Sequence, residues 1–516
     1  MKNKIAELIY DAIKASSSDT PLAVDDIEAF LEVPPQKDMG DFAFPCFRLA
    51  KSFRKAPPVI AEMLASHIEK PDFLEKIENA GGYLNFYIDR PALAASLLAM
   101  LDTEKDPGAS DIGKGKTVCL DYSSPNVAKN FHVGHLRTTI IGNSLYHIFE
   151  KQGYKVERIN YLGDWGTQFG KLIVAYKKWG NKELVQEKGI EELMELYVRF
   201  HTEAEADPSL EDDARAWFVK MEQGDLEAIS IWQWFREISV AEFMRVYDIL
   251  GVSFDSYNGE AFYNDKMVPA IEELKEKGLL IEDNGAMMVD LSEYNMPPCL
   301  VLKKDGSTLY ATRDIAAAIY RKNFYDFEKC IYVTGLEQKL HFAQWFKVIE
   351  LMGYDWYKGL VHVPYGLVSL PGGKMSSRKG NVIFVEDILR EAIAKTTEII
   401  EEKNPDLPRR DEVARMVGVG AVIFSTLYNQ RIKDVVFVWD NILSFEGETG
   451  PYVQYTHARC CSLLNKINAG VSSPDPALIS DEPALDLLRE LTRYDDVIAD
   501  AADKYEPSVV ARYSMA

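Results

Sequence analysis

Two histidines, His132 and His135, flank a valine and a glycine where an apolar run leads into a helical pattern. Residues 117–122 (TVCLDY) are typical of a buried strand, and residues 136–149 carry apolar side chains at helical spacing. The histidines therefore lie at a predicted helix N-terminus, where free N–H groups and the helix dipole favour anions such as a triphosphate. Gly134 lets a nucleotide approach the backbone without a Cβ in the way. Histidines that only cap the helix are the structural alternative.

A glycine-bounded loop with three cations lies far downstream, at residues 372–381 (GGKMSSRKGN). The three cations suit a loop that closes over phosphates. For this segment considered by itself, the alternative is a solvated surface loop. The separation from HVGH leaves room for a long crossover or an inserted domain. Together the two segments resemble the HIGH and KMSKS signatures of class I aminoacyl-tRNA synthetases.

Four longer blocks narrow the resemblance to the arginyl-tRNA synthetase family. They are SSPNVAKNFHVGHLR (123–137), GDWGTQFGKL (163–172), YATRDIAAA (310–318) and GLEQKLHFAQ (335–344). The resemblance covers nearly the whole chain. It implies an arginine–tRNA ligase, which forms arginyl-adenylate from L-arginine and ATP with Mg²⁺. Such an enzyme then passes arginine to the 2′-hydroxyl of the terminal adenosine of tRNA(Arg).

The resemblance also implies which residues handle ATP. The implied catalytic residues are His132, His135, Lys129 and Lys374. The implied ATP contacts are Gly134, His135, Met375, Ser376, Ser377 and Lys379. Ser377 stands where KMSKS has its second lysine, and family members that lack this lysine carry one just before the HIGH segment, as Lys129 does here. We therefore expect Lys129 to supply the missing cation, a surface lysine being the alternative.

Recognition of the arginine side chain requires carboxylates, because a buried guanidinium must be paired. By resemblance, the residues around the guanidinium are Glu260, Tyr310, Asp314 and Gln338, and those for the α-amino and carboxylate groups are Asp121, Asn126 and His132. Each has a structural alternative: Asp314 as a helix cap, Tyr310 as a core residue and Glu260 as a loop charge. The GDWG block is expected to shape the floor of the site and is given no catalytic role.

The composition agrees with this identification without leading to it. A chain of 516 residues is too long for one core. A formal net charge of −22 is unusual for an RNA-binding protein, so we expect cations clustered on one face of an acidic body. The six cysteines have no CxxC spacing, and we expect reduced core thiols and no structural metal.

The breaks along the chain predict three domains. Residues 1–101 are predicted to be an α/β module that contacts tRNA or, alternatively, a stabilising appendage. Residues 116–385 are predicted to be the catalytic domain, with a helical insertion at about 179–255. Residues 386–516 are predicted to be an all-α anticodon-binding domain. Because the chain ends within a helical pattern, we expect this last domain to be truncated.

Six short β-rich runs alternate with helical stretches after residue 116, which predicts a doubly wound parallel sheet of the Rossmann-like kind. They are TVCLDY, VERINY, MMVDL, CLVLKK, CIYVTG and LVHVPYGL. Such sheets bind ligands at the carboxyl ends of their strands, beside the switch in strand order. HVGH and the lysine loop are both expected to open onto that edge.

The predicted helix at residues 448–467 (ETGPYVQYTHARCCSLLNKI) is where tRNA identity is expected to be read. Tyr452, Tyr455, His457 and Arg459 are candidates to stack on or pair with unstacked bases. An aromatic face in a helical core is the equal alternative.

The remaining expectations concern location and competing functions. The first residues have no long apolar segment, so we expect a cytoplasmic protein, and by resemblance a monomer. A small nucleotidyltransferase would share the HxGH site but not the length. A catalytically silent RNA-binding relative would be free to lose the histidines and the pocket carboxylates.

Overall fold

A computed structural model describes most of the chain. The described residues are 1–16, 22–103, 106–129, 131–304, 306–369, 384–436, 438–467, 475–479 and 481–516. They divide into two compact units, the first of residues 1–107 and 468–495 and the second of residues 108–467 and 496–516. Helices and strands are numbered below in chain order.

The first unit packs helices around a small antiparallel sheet. Its elements are α1 (Lys2–Ser16), α2 (Val24–Phe30), β1 (Phe42–Pro45), α3 (Ala50–Phe53), α4 (Pro57–His67), β2 (Leu74–Ala80), β3 (Tyr83–Ile88), α5 (Arg90–Thr103) and, from the C-terminal part of the chain, α19 (Glu482–Thr492). The strand order is β1-β3-β2. The α/β character predicted for the amino-terminal module is confirmed.

The core of this unit follows from apolar periodicity. α1 buries Ile5, Ile9 and Ile13 on one face, at helical spacing. Leu485 of α19 is fully buried in the same core. Arg489, one turn further along α19, donates to Asp41 at 2.6 Å. A segment near the end of the sequence is therefore part of this unit.

The second unit contains the parallel sheet and most of the helices. Its strands are β4 (Thr117–Asp121), β5 (Lys155–Ile159), β6 (Leu280–Asp283), β7 (Ala286–Val289), β8 (Cys299–Leu302), β9 (Lys329–Gly335), β10 (Leu360–Tyr365), β11 (Val368–Ser369) and β12 (Val435–Val436). Its longer helices up to the end of β10 are α6 (Val133–Lys151), α7 (Thr167–Trp179), α8 (Lys182–Lys188), α9 (Ile190–Ala206), α10 (Ser209–Glu222), α11 (Leu226–Leu250), α12 (Met267–Glu276), α13 (Tyr310–Tyr325) and α14 (Lys339–Leu351).

Helices dominate the rest of this unit. They are α15 (Val385–Lys403), α16 (Arg410–Tyr428), α17 (Trp439–Ile442), α18 (Gly450–Ile467), α20 (Tyr494–Lys504, whose residues 496–504 belong to this unit) and α21 (Ser508–Tyr513). The short strands β11 and β12 pair in parallel, so the prediction that only helices follow residue 386 is wrong at residues 435 and 436.

The doubly wound parallel sheet is confirmed, with the order β10-β9-β4-β5 and every pair parallel. From β4 the chain moves outward to β5, and later it returns to the other side of β4 to add β9 and then β10. The strand order therefore switches between β4 and β9. A crevice at the carboxyl ends of these two strands is the expected place for a ligand.

Two of the six predicted strands do not belong to this sheet. MMVDL and CLVLKK correspond to β7 and β8, which form with β6 a separate antiparallel sheet of three strands in the order β6-β7-β8. Their apolar pattern was sufficient to predict strands. Pairing depends on tertiary neighbours, which a short apolar run does not specify.

Close packing fixes the helix that follows β4. Tyr122 comes directly after the strand and is fully buried. A Cβ on Gly142 of α6 would lie 2.2 Å from the Tyr122 ring, so glycine is needed for the helix to approach at this point. No helix of the described residues is both long and apolar enough to cross a membrane.

Candidate active site

The HVGH segment forms the N-terminal cap of α6. The Gly134 N–H donates to Nδ1 of His132 at 3.1 Å, and the His132 N–H donates to Nδ1 of His135 at 3.3 Å. The two rings stack with centroids 3.9 Å apart. The histidines therefore do cap the helix, as in the structural alternative. Capping uses only Nδ1 of each ring and leaves Nε2 for a ligand.

Both histidines are neutral in this arrangement. Burial lowers the pKa of His132, and the charge of Lys129 lowers it further. Burial also lowers the pKa of His135 well below its ordinary value, with further contributions from His132 and Lys129. Because Nδ1 accepts in each ring, the proton of each neutral ring is on Nε2. The site thus presents two neutral N–H donors.

Packing, as well as the predicted approach of a nucleotide, explains the glycine at position 134. A Cβ at this position would lie 2.9 Å from Cε1 of His132. Any larger residue would displace the ring from its cap. The glycine is therefore required by the histidine next to it, whether or not a nucleotide is present.

The segment between β4 and α6 holds three residues other than glycine in the left-handed region. They are Ser123, Ser124 and Ala128, with φ values of 72°, 48° and 57°. Buried contacts hold this backbone: the Ala128 N–H donates to Oγ of Ser239 at 2.9 Å, for example. Such backbone costs about 1–3 kcal/mol per residue and is concentrated at functional sites. It places Asn126 and Lys129 at the start of the helix.

Lys129 is exposed and has no ion pair or hydrogen bond with the residues that the structure describes. Its charge nevertheless contributes to the low pKa of both His132 and His135. A free ammonium group therefore lies near the two neutral rings. This placement suits the compensating role predicted for Lys129.

The lysine loop cannot be placed in the same way. Lys374, Met375, Ser376, Ser377 and Lys379 lie outside the described residues. The chain on its C-terminal side is next to HVGH, because Phe384 forms a β-bridge with His132 and the Val385 N–H donates to the Phe131 carbonyl at 3.0 Å.

Arg137, which the sequence interpretation missed, holds the chain on the N-terminal side of the loop. Its guanidinium is 1% exposed and donates to four backbone carbonyls. These belong to Gly366 at 2.8 Å, Leu367 at 3.1 Å, Arg431 at 3.1 Å and Lys433 at 2.7 Å. The residue ties the HVGH helix to the segment that leads into the loop. An arginine on an otherwise apolar helix face was the available signal.

Asp121 lies at the carboxyl end of β4 but already has partners. It forms an ion pair with Arg321 at 2.8 Å, and the Ser124 hydroxyl donates to it at 2.9 Å. The pair is buried, with Asp121 5% and Arg321 1% exposed. Asp121 thus supports the site through these partners, and its contact with the α-amino group of arginine stays a prediction.

Glu260 and Asp314 lie near each other, and each is paired with a side chain of the protein. Arg313 contacts Glu260 at 3.2 Å, and Nε2 of His341 contacts Asp314 at 2.6 Å. Burial raises the pKa of Glu260 to about 7; the charge of Arg313 opposes the shift, and Asp164 and Asp314 add to it. Neither Arg313 nor His341 was singled out from the sequence, although both lie in the YATRD and KLHFAQ blocks.

The other predicted arginine contacts are on the surface. Tyr310 begins α13 and is 71% exposed, so it is not a core residue. Gln338 ends the 3₁₀ helix Leu336–Gln338 and is exposed. Asn126 is exposed and forms a β-bridge with Gly163. A Cβ added to Gly163 would lie 2.1 Å from Oδ1 of Asn126. Their side chains are thus available to a ligand.

The GDWG block has a structural role in the second unit. Asp164 is 1% exposed, pairs with Arg236 at 2.8 Å and accepts the Ala261 N–H at 2.9 Å. Trp165 packs edge-to-face on Trp232, with centroids 5.6 Å apart. Asp164 thereby fixes the start of the 3₁₀ helix Glu260–Lys266, on which Glu260 lies.

The four candidate RNA contacts on α18 are exposed. Tyr452 is 40% and Tyr455 51% exposed, and His457 and Arg459 are exposed as well. An aromatic core face is therefore not observed in the described part of the chain. Cys460 and Cys461 on the same helix are also exposed, which corrects the prediction that all six cysteines are core thiols. No cluster of potential metal ligands occurs among the described residues.

Three known families match parts of the chain. The family described as tRNA synthetases class I (R), catalytic domain, matches residues 97–439. The arginyl tRNA synthetase N terminal domain matches residues 3–88, and the DALR anticodon binding domain matches residues 453–516. The parallel sheet with HVGH after its first strand is thus the catalytic fold of a class I tRNA synthetase.

Similarity to individual proteins shows which class I synthetase family this is. The chain is 58% identical to an arginine–tRNA ligase of Clostridioides difficile (strain 630) over 496 residues, which are 96% of this chain and 88% of that one. It is 53% identical to an arginine–tRNA ligase of Alkaliphilus metalliredigens (strain QYMF), over 99% of this chain and 90% of that one. The structure of Thermus thermophilus arginyl-tRNA synthetase superposes with a TM-score of 0.81 at 27% identity, covering all of this chain and 90% of that one. The chain belongs to the arginyl-tRNA synthetase family.

Proposed function

We propose that the chain activates L-arginine with ATP and transfers it to tRNA(Arg). The observation that carries this proposal is the placement of two acidic side chains, Glu260 and Asp314, in the same unit as the capped HVGH helix. The charge of Asp314 raises the pKa of both Glu260 and Asp121, so these carboxylates lie near the carboxyl end of β4. A cationic side chain and a nucleotide can therefore be held at adjoining places.

The first step is attack of the arginine carboxylate on the α-phosphorus of ATP, with pyrophosphate as the leaving group. Such transfers need positioning and charge stabilisation more than covalent help. The Nε2–H groups of His132 and His135 donate to phosphate oxygens, and Gly134 lies between them at the helix N-terminus. Magnesium enters as part of the ATP substrate.

Positive charge in the transition state comes from lysines. Lys129 supplies one ammonium group beside the histidines. Lys374 and Lys379, with the neighbouring residues Met375, Ser376 and Ser377, are assigned to ATP by resemblance alone, because they lie outside the described residues. Charge placed where it develops is usually the largest single catalytic effect.

Arginine is recognised at both of its ends. Glu260 and Asp314 pair with the guanidinium, and Tyr310 and Gln338 close over the side chain. Asn126 and His132 hold the α-amino and carboxylate groups. Asp121 orients the site through Arg321 and Ser124. A carboxylate pair of this kind discriminates against glutamine, which has no charge, and requires a planar guanidinium rather than the compact ammonium of lysine.

The second step attaches arginine to RNA. The 2′-hydroxyl of the terminal adenosine attacks the carbonyl carbon of the adenylate, and AMP leaves. Tyr452, Tyr455, His457 and Arg459 on α18 bind bases of the tRNA by stacking and hydrogen bonding.

Each domain has its own part in this reaction. The module at residues 1–101 also contacts tRNA. The catalytic domain comprises residues 116–385, with an insertion at about 179–255, and residues 386–516 bind the anticodon. We further propose that the protein is a cytoplasmic monomer.

Pyrophosphate exchange tests the proposal. Radiolabelled pyrophosphate is incubated with the protein, ATP and one amino acid, with or without cognate tRNA. Arginine should support the formation of labelled ATP, and lysine and glutamine should not. Exchange with another amino acid would overturn the substrate assignment. Absence of exchange under every condition would favour a catalytically silent relative.

A further inference from the structure

The two carboxylates proposed to receive the substrate guanidinium are each paired with a side chain of the protein itself, Glu260 with an arginine and Asp314 with a histidine. Arg313 and Asp314 are neighbours on α13, but they pair in different directions. Arg313 reaches Glu260 on the 3₁₀ helix Glu260–Lys266, and Asp314 accepts from His341 on α14. The pocket therefore has an internal guanidinium where an external one is expected to bind.

Arg313 depends on this contact. Its side chain is 12% exposed, and its Nε has no hydrogen-bond partner among the described residues. Among the described residues its ion-pair partner is Glu260, and the distance from Nη1 of Arg313 to Oε1 of Glu260 is 3.2 Å. A guanidinium buried to this extent needs a carboxylate. Arg313 and Glu260 thus hold each other in place.

One arginine does not occupy all the hydrogen-bond acceptor positions of a carboxylate. The two oxygens of an ionised glutamate offer about four acceptor positions. Arg313 contacts Oε1 and the Trp165 amide also donates to the carboxylate, which leaves acceptor positions for a second guanidinium. Two planar guanidinium groups can bind one carboxylate from different sides. The donors of an ammonium group are less directional than those of a guanidinium.

We infer that Arg313 is a positioning residue that keeps the Glu260 carboxylate charged and oriented so that it can receive the guanidinium of the substrate. This inference rests on the proposed function, because it assumes that Glu260 binds arginine. Arg313 itself does not have to touch the substrate. It acts through Glu260.

The charges around Glu260 explain why such a residue is needed. The carboxylates of Asp164 and Asp314 face it, and the Tyr161 hydroxyl, which has no hydrogen-bond partner among the described residues, is near both Glu260 and Arg313. Arg236 is committed to Asp164, and His341 to Asp314. Burial and the two neighbouring carboxylates raise the pKa of Glu260 to about 7, even with Arg313 and the Trp165 amide opposing the shift. Arg313 is the cation that opposes this shift, so its removal would raise the pKa of Glu260 further.

The test replaces Arg313 with methionine and with lysine and measures the KM for arginine between pH 6 and pH 9 by pyrophosphate exchange. Loss of an adjacent cation raises a carboxyl pKa by roughly 1–2 units. If only the charged form binds arginine, the KM of Arg313→Met should rise about 5- to 50-fold at pH 7 and return to within about twofold of wild type at pH 9. Arg313→Lys should follow the wild-type profile closely. The KM for ATP should not change in either variant.

Two controls accompany these variants. Arg215→Met removes an exposed arginine that pairs with Asp212, and it should leave the whole profile unchanged. Comparison with wild type at each pH cancels the titration of the substrate's own amino group. The double variant Glu260→Gln/Arg313→Met leaves no unpaired buried charge. It provides a folded protein even if Arg313→Met alone does not fold.

The outcomes separate the inference from the proposed function. In the background of Glu260→Gln, adding Arg313→Met should change the KM for arginine by less than about twofold, since Arg313 acts through Glu260. Fully additive effects would overturn the inference. So would tighter arginine binding by Arg313→Met at every pH, which would make Arg313 a competitor of the substrate. An unchanged KM in Glu260→Gln alone would instead refute the proposed guanidinium site.

Discussion

Arg137 provides a sharp test of how the site is held together. The change is Arg137→Met, which keeps an apolar side chain of similar length on α6 but removes the guanidinium hydrogen bonds to the carbonyls of Gly366, Leu367, Arg431 and Lys433. Two strand-like segments then lose their common anchor. Because residues 366 and 367 lead into the lysine loop, local opening should reduce activity without altering the histidine cap.

The magnitude follows from the four contacts, which range from 2.7 to 3.1 Å. At about 1 kcal/mol net for each hydrogen bond, their loss costs about 4 kcal/mol. A tenfold change in an equilibrium corresponds to about 1.4 kcal/mol, so local opening should increase by about 10²–10³-fold. Arg137→Lys should give an intermediate effect, because an ammonium has three donors for four carbonyls.

Hydrogen exchange followed by mass spectrometry measures this opening directly. The reporting amides are Gly366, which donates to the Arg431 carbonyl, Leu367, which donates to Asp434, and Val435, which donates to the Leu367 carbonyl. Arg158→Met is the matched control, since Arg158 pairs with Asp255 elsewhere in the same unit. Unchanged exchange at the three amides in Arg137→Met would refute the anchoring role.

Three further results are expected. Lys129→Ala should lower kcat by roughly 10²–10³-fold, because it removes a preorganised cation, and a variant with wild-type turnover would contradict that role. Asp314→Asn should raise the arginine KM at least tenfold while the ATP KM stays nearly constant; equal increases in both would count against the assignment. Burial, with the charge of Arg431, lowers the pKa of His362 to about 4, so folding stability should fall as pH decreases from 6.5 towards 4. In thermal unfolding His362→Phe should show a shallower decrease over that interval, and an identical decrease would exclude His362 as a cause.

Much of the catalytic unit was predictable because its signals are local. TVCLDY is a buried strand, and the apolar spacing after HVGH continues as α6, so the histidines were correctly placed at a helix N-terminus. Their neutrality was not predictable. It depends on burial and on the nearby ammonium of Lys129, which are properties of the folded site.

Partners distant in the sequence account for what was missed. Arg137 meets carbonyls more than two hundred positions away, and Arg313 meets Glu260 on a different element. The pairing of Asp121 with Arg321 is likewise visible only in three dimensions. Leu485 belongs to the core of the first unit although it lies near the end of the chain. Local patterns predict elements, whereas ion pairs and core membership depend on the fold.

The most direct measurement for the proposed function is the charging of tRNA itself. Purified tRNA(Arg) is incubated with the protein, ATP, magnesium and radiolabelled arginine, and the acid-precipitable label is counted. We predict that arginine is attached to the tRNA and that lysine is not. Periodate oxidation of the terminal ribose should abolish the reaction, because it destroys the accepting hydroxyl. Attachment of a different amino acid, or none of arginine, would contradict the account.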